Sequence, residues 1–185
     1  MASAAARERY ARKNEQNELE RAFNTIDSKG DKKIDAEELT EMFLRLGHKP
    51  KRGEVEDMIW EVDEDCDGCI SLLEFQTLYT RCRDDKTGYE PRGLFNVVEF
   101  VMNDKNNQGF ITLEEAMQIM YLRYGRAELD MQLEQVFGTA DLNSGKILTL
   151  TEFLHCLHTN QVKQLLNRVT AKTYKAPPPP QSRRK

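Results

Sequence analysis

Carboxylates recur in this chain at a spacing that can cage a hard cation. Asp63, Asp65 and Asp67 alternate along the chain, Gly68 follows, and Glu74 closes a twelve-residue window, DEDCDGCISLLE. Cys69 at the seventh position offers a backbone carbonyl, and Ser71 stands at the ninth. Calcium takes about six to eight oxygens at about 2.3–2.6 Å, and positions 1, 3, 5, 7, 9 and 12 of such a window supply them. Glycine at position 6 lets the chain turn sharply. No basic side chain lies inside the window. Asp63, Asp65, Asp67, Cys69, Ser71 and Glu74 are therefore predicted to hold one calcium ion firmly.

Three further windows share the pattern in part: Asp27–Glu38 (DSKGDKKIDAEE), Asp104–Glu115 (DKNNQGFITLEE) and Asp141–Glu152 (DLNSGKILTLTE). The four starts are 36, 41 and 37 residues apart, which makes them one repeated unit. In the first window Lys29 puts an ammonium at position 3 and Lys32 replaces the glycine, so this loop is expected to serve as a folding partner. Gly30 suggests that it turns in a different way. The third window has Asp104, Asn106, Gln108, the Phe110 carbonyl, Thr112 and Glu115 at the six positions. With two carboxylates and an over-long Gln108, it predicts a weak second site, since affinity follows ligand charge. The fourth has Gly145 at position 5 and Lys146 at position 6, and should not bind.

These loops need helices on both sides to hold them. A large apolar residue stands four positions before each window: Phe23, Ile59, Phe100 and Phe137. Leu39, Met42, Phe43 and Leu46 after the first window, and Val55, Met58, Ile59 and Val62 before the second, repeat at helical spacing. Position 8 is aliphatic throughout, which predicts short cross-strand pairs of Ile34 with Ile70 and Ile111 with Leu148. Helix–twelve-residue loop–helix units of this kind resemble the EF-hand superfamily over residues 15–158, and the first half is similar to calmodulin-like proteins. The resemblance implies an all-α fold of two lobes, each a pair of helix–loop–helix units joined by a two-stranded bridge. The expected organisation is a basic N-terminal extension over 1–14, lobes over 15–83 and 93–160, a linker over 84–92, and a basic, proline-rich tail over 161–185. Gly88 and Pro91 in the linker argue against one continuous central helix.

Each lobe should expose or bury an apolar groove whose lining is mostly ordinary core, with an amphipathic helix as the expected ligand. Phe23, Met42, Phe43, Leu46, Met58, Ile59, Phe75 and Leu78 are expected in the first lobe. Phe95, Phe100, Met117, Met120, Leu133, Phe137, Phe153 and Leu157 are expected in the second. Met suits such grooves because it repacks easily.

Cys66 and Cys69 form a C-x-x-C inside the strongest loop. No second pair completes a tetrahedral zinc site. Two readings stay open: tolerated small residues, or a redox pair whose disulfide would turn the position 7 carbonyl away from the ion. No nucleophile–base constellation or phosphate-cradling loop is present, so an enzyme is not expected.

The net charge of −4 hides an uneven distribution. Residues 14–162 hold sixteen basic and thirty acidic side chains, a net of −14, while residues 163–185 hold seven basic side chains and no acid. Residues 1–13 hold four basic side chains and one acid. An acidic body argues against nucleic-acid binding, and no apolar run approaches the length that spans a bilayer. Four cysteines without a signal-type leader predict a reducing, cytoplasmic setting. Four consecutive prolines in the tail predict a stiff polyproline II rod.

Within the superfamily the chain resembles the small EF-hand subunit of the axonemal outer dynein arm docking complex, in size, in its one intact loop and in the cysteine pair. That resemblance implies a cytoskeletal adaptor in a cilium or flagellum, with coiled-coil or amphipathic-helix partners. The basic termini would suit an acidic microtubule surface. The alternatives are a soluble calmodulin- or centrin-like sensor that captures target helices, and a light-chain-like structural protein without calcium regulation.

Overall fold

The computed structural model describes residues 4–124 and 147–158. Helix α1 (Ala4–Ile26) leads through the first loop and strand β1 (Lys33–Ile34) into α2 (Ala36–Arg45). Helix α3 (Glu54–Trp60), strand β2 (Ile70–Ser71) and α4 (Leu72–Asp84) complete the first lobe. The second begins with α5 (Gly93–Asn103), β3 (Phe110–Thr112) and α6 (Leu113–Tyr124). It resumes at β4 (Ile147–Thr149) and the helical stretch 150–158. Helices joined by two small antiparallel bridges are the architecture expected of paired helix–loop–helix units.

The bridges have the predicted register, Ile34 opposite Ile70 and Ile111 opposite Leu148. All four of these residues are buried. An isoleucine or leucine side chain at each centre packs one strand of the bridge against the other.

Helix α1 changes character along its length. Leu19, Ala22, Phe23 and Ile26 are buried at helical spacing, whereas Arg9–Asn14 are all exposed. Good helix formers carry this first half beyond the core as a charged arm. Phe23 meets Phe75 of α4 edge to face, with ring centroids 5.4 Å apart. The eight groove residues expected in the first lobe are all buried. In the second lobe Phe95, Phe100, Phe153 and Leu157 are buried and Met117 is half-buried. Leu133 and Phe137 lie outside the described residues, and the Met120 side chain is not described.

The described residues of the two lobes share one core. Every residue of α5 from Leu94 to Val101 is buried. One side of α5 packs on α1 and α4 of the first lobe, and α6 packs on it from the second. Phe95 lies 5.3 Å from Tyr79 of α4, and Phe100 lies 5.6 Å from Phe153. Arg21 of α1 donates to the carbonyls of Val101 (3.2 Å) and Met102 (2.8 Å), closing the C-terminal end of α5.

The linker is a tight turn. The Asp85 carboxylate accepts from the backbone amides of Thr87, Gly88 and Glu90. Arg92 donates to the carbonyls of Cys82 and Asp85. Gly88 supplies a left-handed residue (φ 77°) there.

Candidate metal centre

The second loop brings three of its predicted ligands together. Single carboxylate oxygens of Asp63, Asp65 and Asp67 all lie within 4.8 Å of one another. Backbone amides hold them in place: Asp63 accepts from Asp67 (3.1 Å) and Gly68 (2.8 Å), and Asp67 accepts from Cys69 (2.9 Å). Desolvation within the loop and the neighbouring Asp67 carboxylate push Asp65 above the ordinary carboxylate range. Asp67 is held below it, chiefly by the Lys33 ammonium. Crowded carboxylates of this kind lose repulsion when a divalent cation binds.

Glu74 sits at the far end of the loop and starts α4. Its carboxylate accepts from the Ser71 amide (2.8 Å) and hydroxyl (2.7 Å), and from the Glu64 amide (2.9 Å). Desolvation pushes its pKa up, but these hydrogen bonds outweigh it and leave the carboxyl lowered. Ser71 in turn caps the helix by accepting from the Glu74 amide, a reciprocal capping box.

The same box recurs at positions 9 and 12 of every window. Asp35 and Glu38 form it before α2. Thr112 with Glu115 and Thr149 with Glu152 make the same contacts. The glutamate that ends each window is thus a helix-start residue as well as a candidate ligand. The helix-start role is kept even in loops that lack other ligands.

The backbone also repeats. Positions 4 and 6 are left-handed in all three described loops: Gly30 (72°) and Lys32 (70°), Cys66 (59°) and Gly68 (82°), Asn107 (51°) and Gly109 (80°). The expectation of a different turn in the first loop is therefore corrected. Gly30 occupies position 4, and Lys32 is forced into the glycine conformation, at about 1–2 kcal/mol.

Lys29, at position 3, turns its ammonium onto other side chains of its own loop. It pairs with Asp35, at position 9, and with Glu37 (3.1 Å), at position 11. Asp27, Asp31 and Glu38 converge instead, with oxygens within 4.8 Å. Asp31, at position 5, was the signal missed by reading position 3 as decisive.

In the third loop Asp104 is buried and accepts from the amides of Gln108 (2.8 Å) and Gly109 (2.7 Å). Asn106 and Gln108 are exposed, and Phe110 is half-buried. Among the described residues no group of three metal-ligating side chains forms around Asp104 and Glu115. Asp141, Asn143, Gly145 and Lys146 lie outside the described residues.

Cys66 and Cys69 are both free thiols, exposed and half-buried respectively. Burial and the Asp67 carboxylate push the Cys69 thiol up. Cys66 occupies a left-handed position that a side chain rarely adopts.

Paired twelve-residue carboxylate loops between helices, bridged at position 8, define a class of calcium-binding helix–loop–helix proteins. Residues 16–80 match the family model for an EF-hand domain pair. Calmodulin-like protein 2 of Arabidopsis thaliana is 31% identical over 140 residues, covering 74% of this chain and 88% of the relative. The "Probable calcium-binding protein CML17" of Oryza sativa subsp. japonica is 39% identical over 149 residues, covering 75% and 90%. The chain belongs to the EF-hand superfamily, among its calmodulin-like members. Calcium is the cofactor this family implies, and the carboxylate set of the second loop fits it. Among the described residues no helix is long and apolar enough to cross a membrane.

Proposed function

We propose that this chain is a non-enzymatic calcium-binding adaptor subunit of a larger cytoskeletal assembly, of the axonemal dynein-docking kind. The second loop is its main calcium site, through Asp63, Asp65, Asp67, Cys69, Ser71 and Glu74, and the third loop is a weak second one. The observation that carries this reading is the position of α5. It covers the α1 and α4 faces that a sensor lobe would offer to a target helix, so the first lobe already has its helix. The exposed cationic first half of α1 is then a natural anchoring element, suited to an acidic surface such as a microtubule. Cys66 and Cys69, three residues apart in the second loop, are its candidate redox pair. A thiol–disulfide exchange with oxidised glutathione would join the two sulfurs, release two reduced glutathiones, and reorient the position 7 carbonyl.

The calmodulin-like relatives favour a second reading, a soluble sensor that captures amphipathic helices. Affinity purification from cell extract, with calcium and with chelator, separates the two. The adaptor reading expects the same large partners in both conditions. Partners retained only with calcium would overturn it. Calcium titration with and without reductant tests the redox element, and equal affinities would remove it.

A further inference from the structure

We propose that Lys33 is an intramolecular competitor for the second loop's calcium, and that it sets the affinity and salt dependence of that site. The inference rests on the assignment of calcium to the second loop. Lys33 belongs to the first loop, at position 7. The β1–β2 register places it opposite Ser71, at position 9 of the second loop. From there its side chain crosses the bridge, and its ammonium pairs with the Asp67 carboxylate.

Asp67 is one of the three clustered carboxylates, and its other oxygen accepts from the Cys69 amide. Both of its oxygens are thus engaged. A cation that takes Asp67 as a ligand must displace the ammonium or accept a positive charge beside it. Either route weakens binding.

The neighbouring lysines do not share this role. Lys29 is paired within its own loop, with Asp35 and Glu37. Lys32 makes no ion pair with any other described residue. The Lys33 and Asp67 side chains are half-exposed. The pair is therefore screened, and its effect falls in the range of exposed ion pairs, about two- to five-fold in calcium affinity.

The test compares wild-type protein with Lys33→Met, Lys33→Arg and Lys32→Met. Calcium is titrated by calorimetry and by fluorescence of Trp60, the chain's one tryptophan, which is exposed and stands three residues before Asp63. Far-UV circular dichroism confirms that each variant is folded. Lys33→Met should bind about two- to five-fold tighter, while Lys33→Arg and Lys32→Met stay near wild type. The gap should close between about 0.01 M and 1 M salt, as the Debye length shrinks from about 30 Å to about 3 Å. Unchanged affinity in Lys33→Met, or equal tightening in Lys32→Met, would overturn the inference, the latter because overall charge then explains the effect. Loss of the Trp60 response in every protein, wild type included, would instead overturn the assignment of calcium to the second loop.

Discussion

Phe95→Ala tests whether the two lobes share one core. The ring is 2% exposed, lies 5.3 Å from Tyr79 of the first lobe and carries the Arg92 guanidinium 5.5 Å above it. Deleting a buried phenylalanine side chain costs about 3–5 kcal/mol, the cavity included. A domain of this kind holds about 5–15 kcal/mol in all, so about 4 kcal/mol is a large share. At about 2–4 °C per kcal/mol for a chain of this size, the melting temperature should fall by about 8–16 °C. Urea unfolding followed by circular dichroism measures the loss. Trypsin reports where it acts, because Arg81, Arg83 and Arg92 lie in or beside the turn that the docked lobes hold closed. Faster cleavage there should accompany the destabilisation. A loss within about 0.5 kcal/mol, the size of an ordinary surface substitution, would show that α5 is not packed between the lobes in solution.

Glu74→Gln removes one charge from the second loop while leaving a shape that can still cap α4. Calcium affinity there should drop at least about tenfold, since affinity follows ligand charge, with helix content intact; an unchanged dissociation constant by calorimetry would refute the ligand assignment. Arg21→Met deletes two charge-assisted hydrogen bonds to the end of α5 and should cost about 1–3 kcal/mol in urea unfolding; no change would mean those carbonyls find water instead. The Asp85 carboxyl is held well below its ordinary value, first by the Thr87 hydroxyl and then, against desolvation, by the Thr87, Glu90 and Gly88 amides. A folded value below the unfolded one gives stability that is complete above the unfolded carboxylate value of about 3.9 and is lost as pH falls through the folded value. Hydrogen exchange in the 84–92 turn, corrected for intrinsic rates, should therefore stay protected from neutral pH down to about 4 and rise only below it; a rise beginning near neutrality would refute this.

The loops, their bridges and most of the core were legible because each is written locally. An aliphatic residue at position 8 can pair only with its counterpart across the bridge, as Ile34 does with Ile70. The partner of α5 was not legible. Leu94 to Val101 is apolar nearly all round, and such a pattern says that a helix is covered without saying by what. Side-chain direction was equally hidden. Spacing puts Lys29 at a ligand position, but its long flexible stem carries the ammonium to Asp35 and Glu37. The ligand sets expected of the second and third loops rest on spacing alone, whereas the pairing of Lys33 with Asp67 depends on strand register between two windows.

The capping boxes separate the fate of the ion from the fate of the scaffold. Substitutions at positions 3, 5 or 6 can erode coordination while α2, α4 and α6 still start at the same residues, because the start signal sits at positions 9 and 12. A lobe can then keep one working loop and one silent loop without losing its shape. The closing glutamate, taken alone, is a poor guide to which loops bind, and the side chains at positions 3 and 5 carry more of that information.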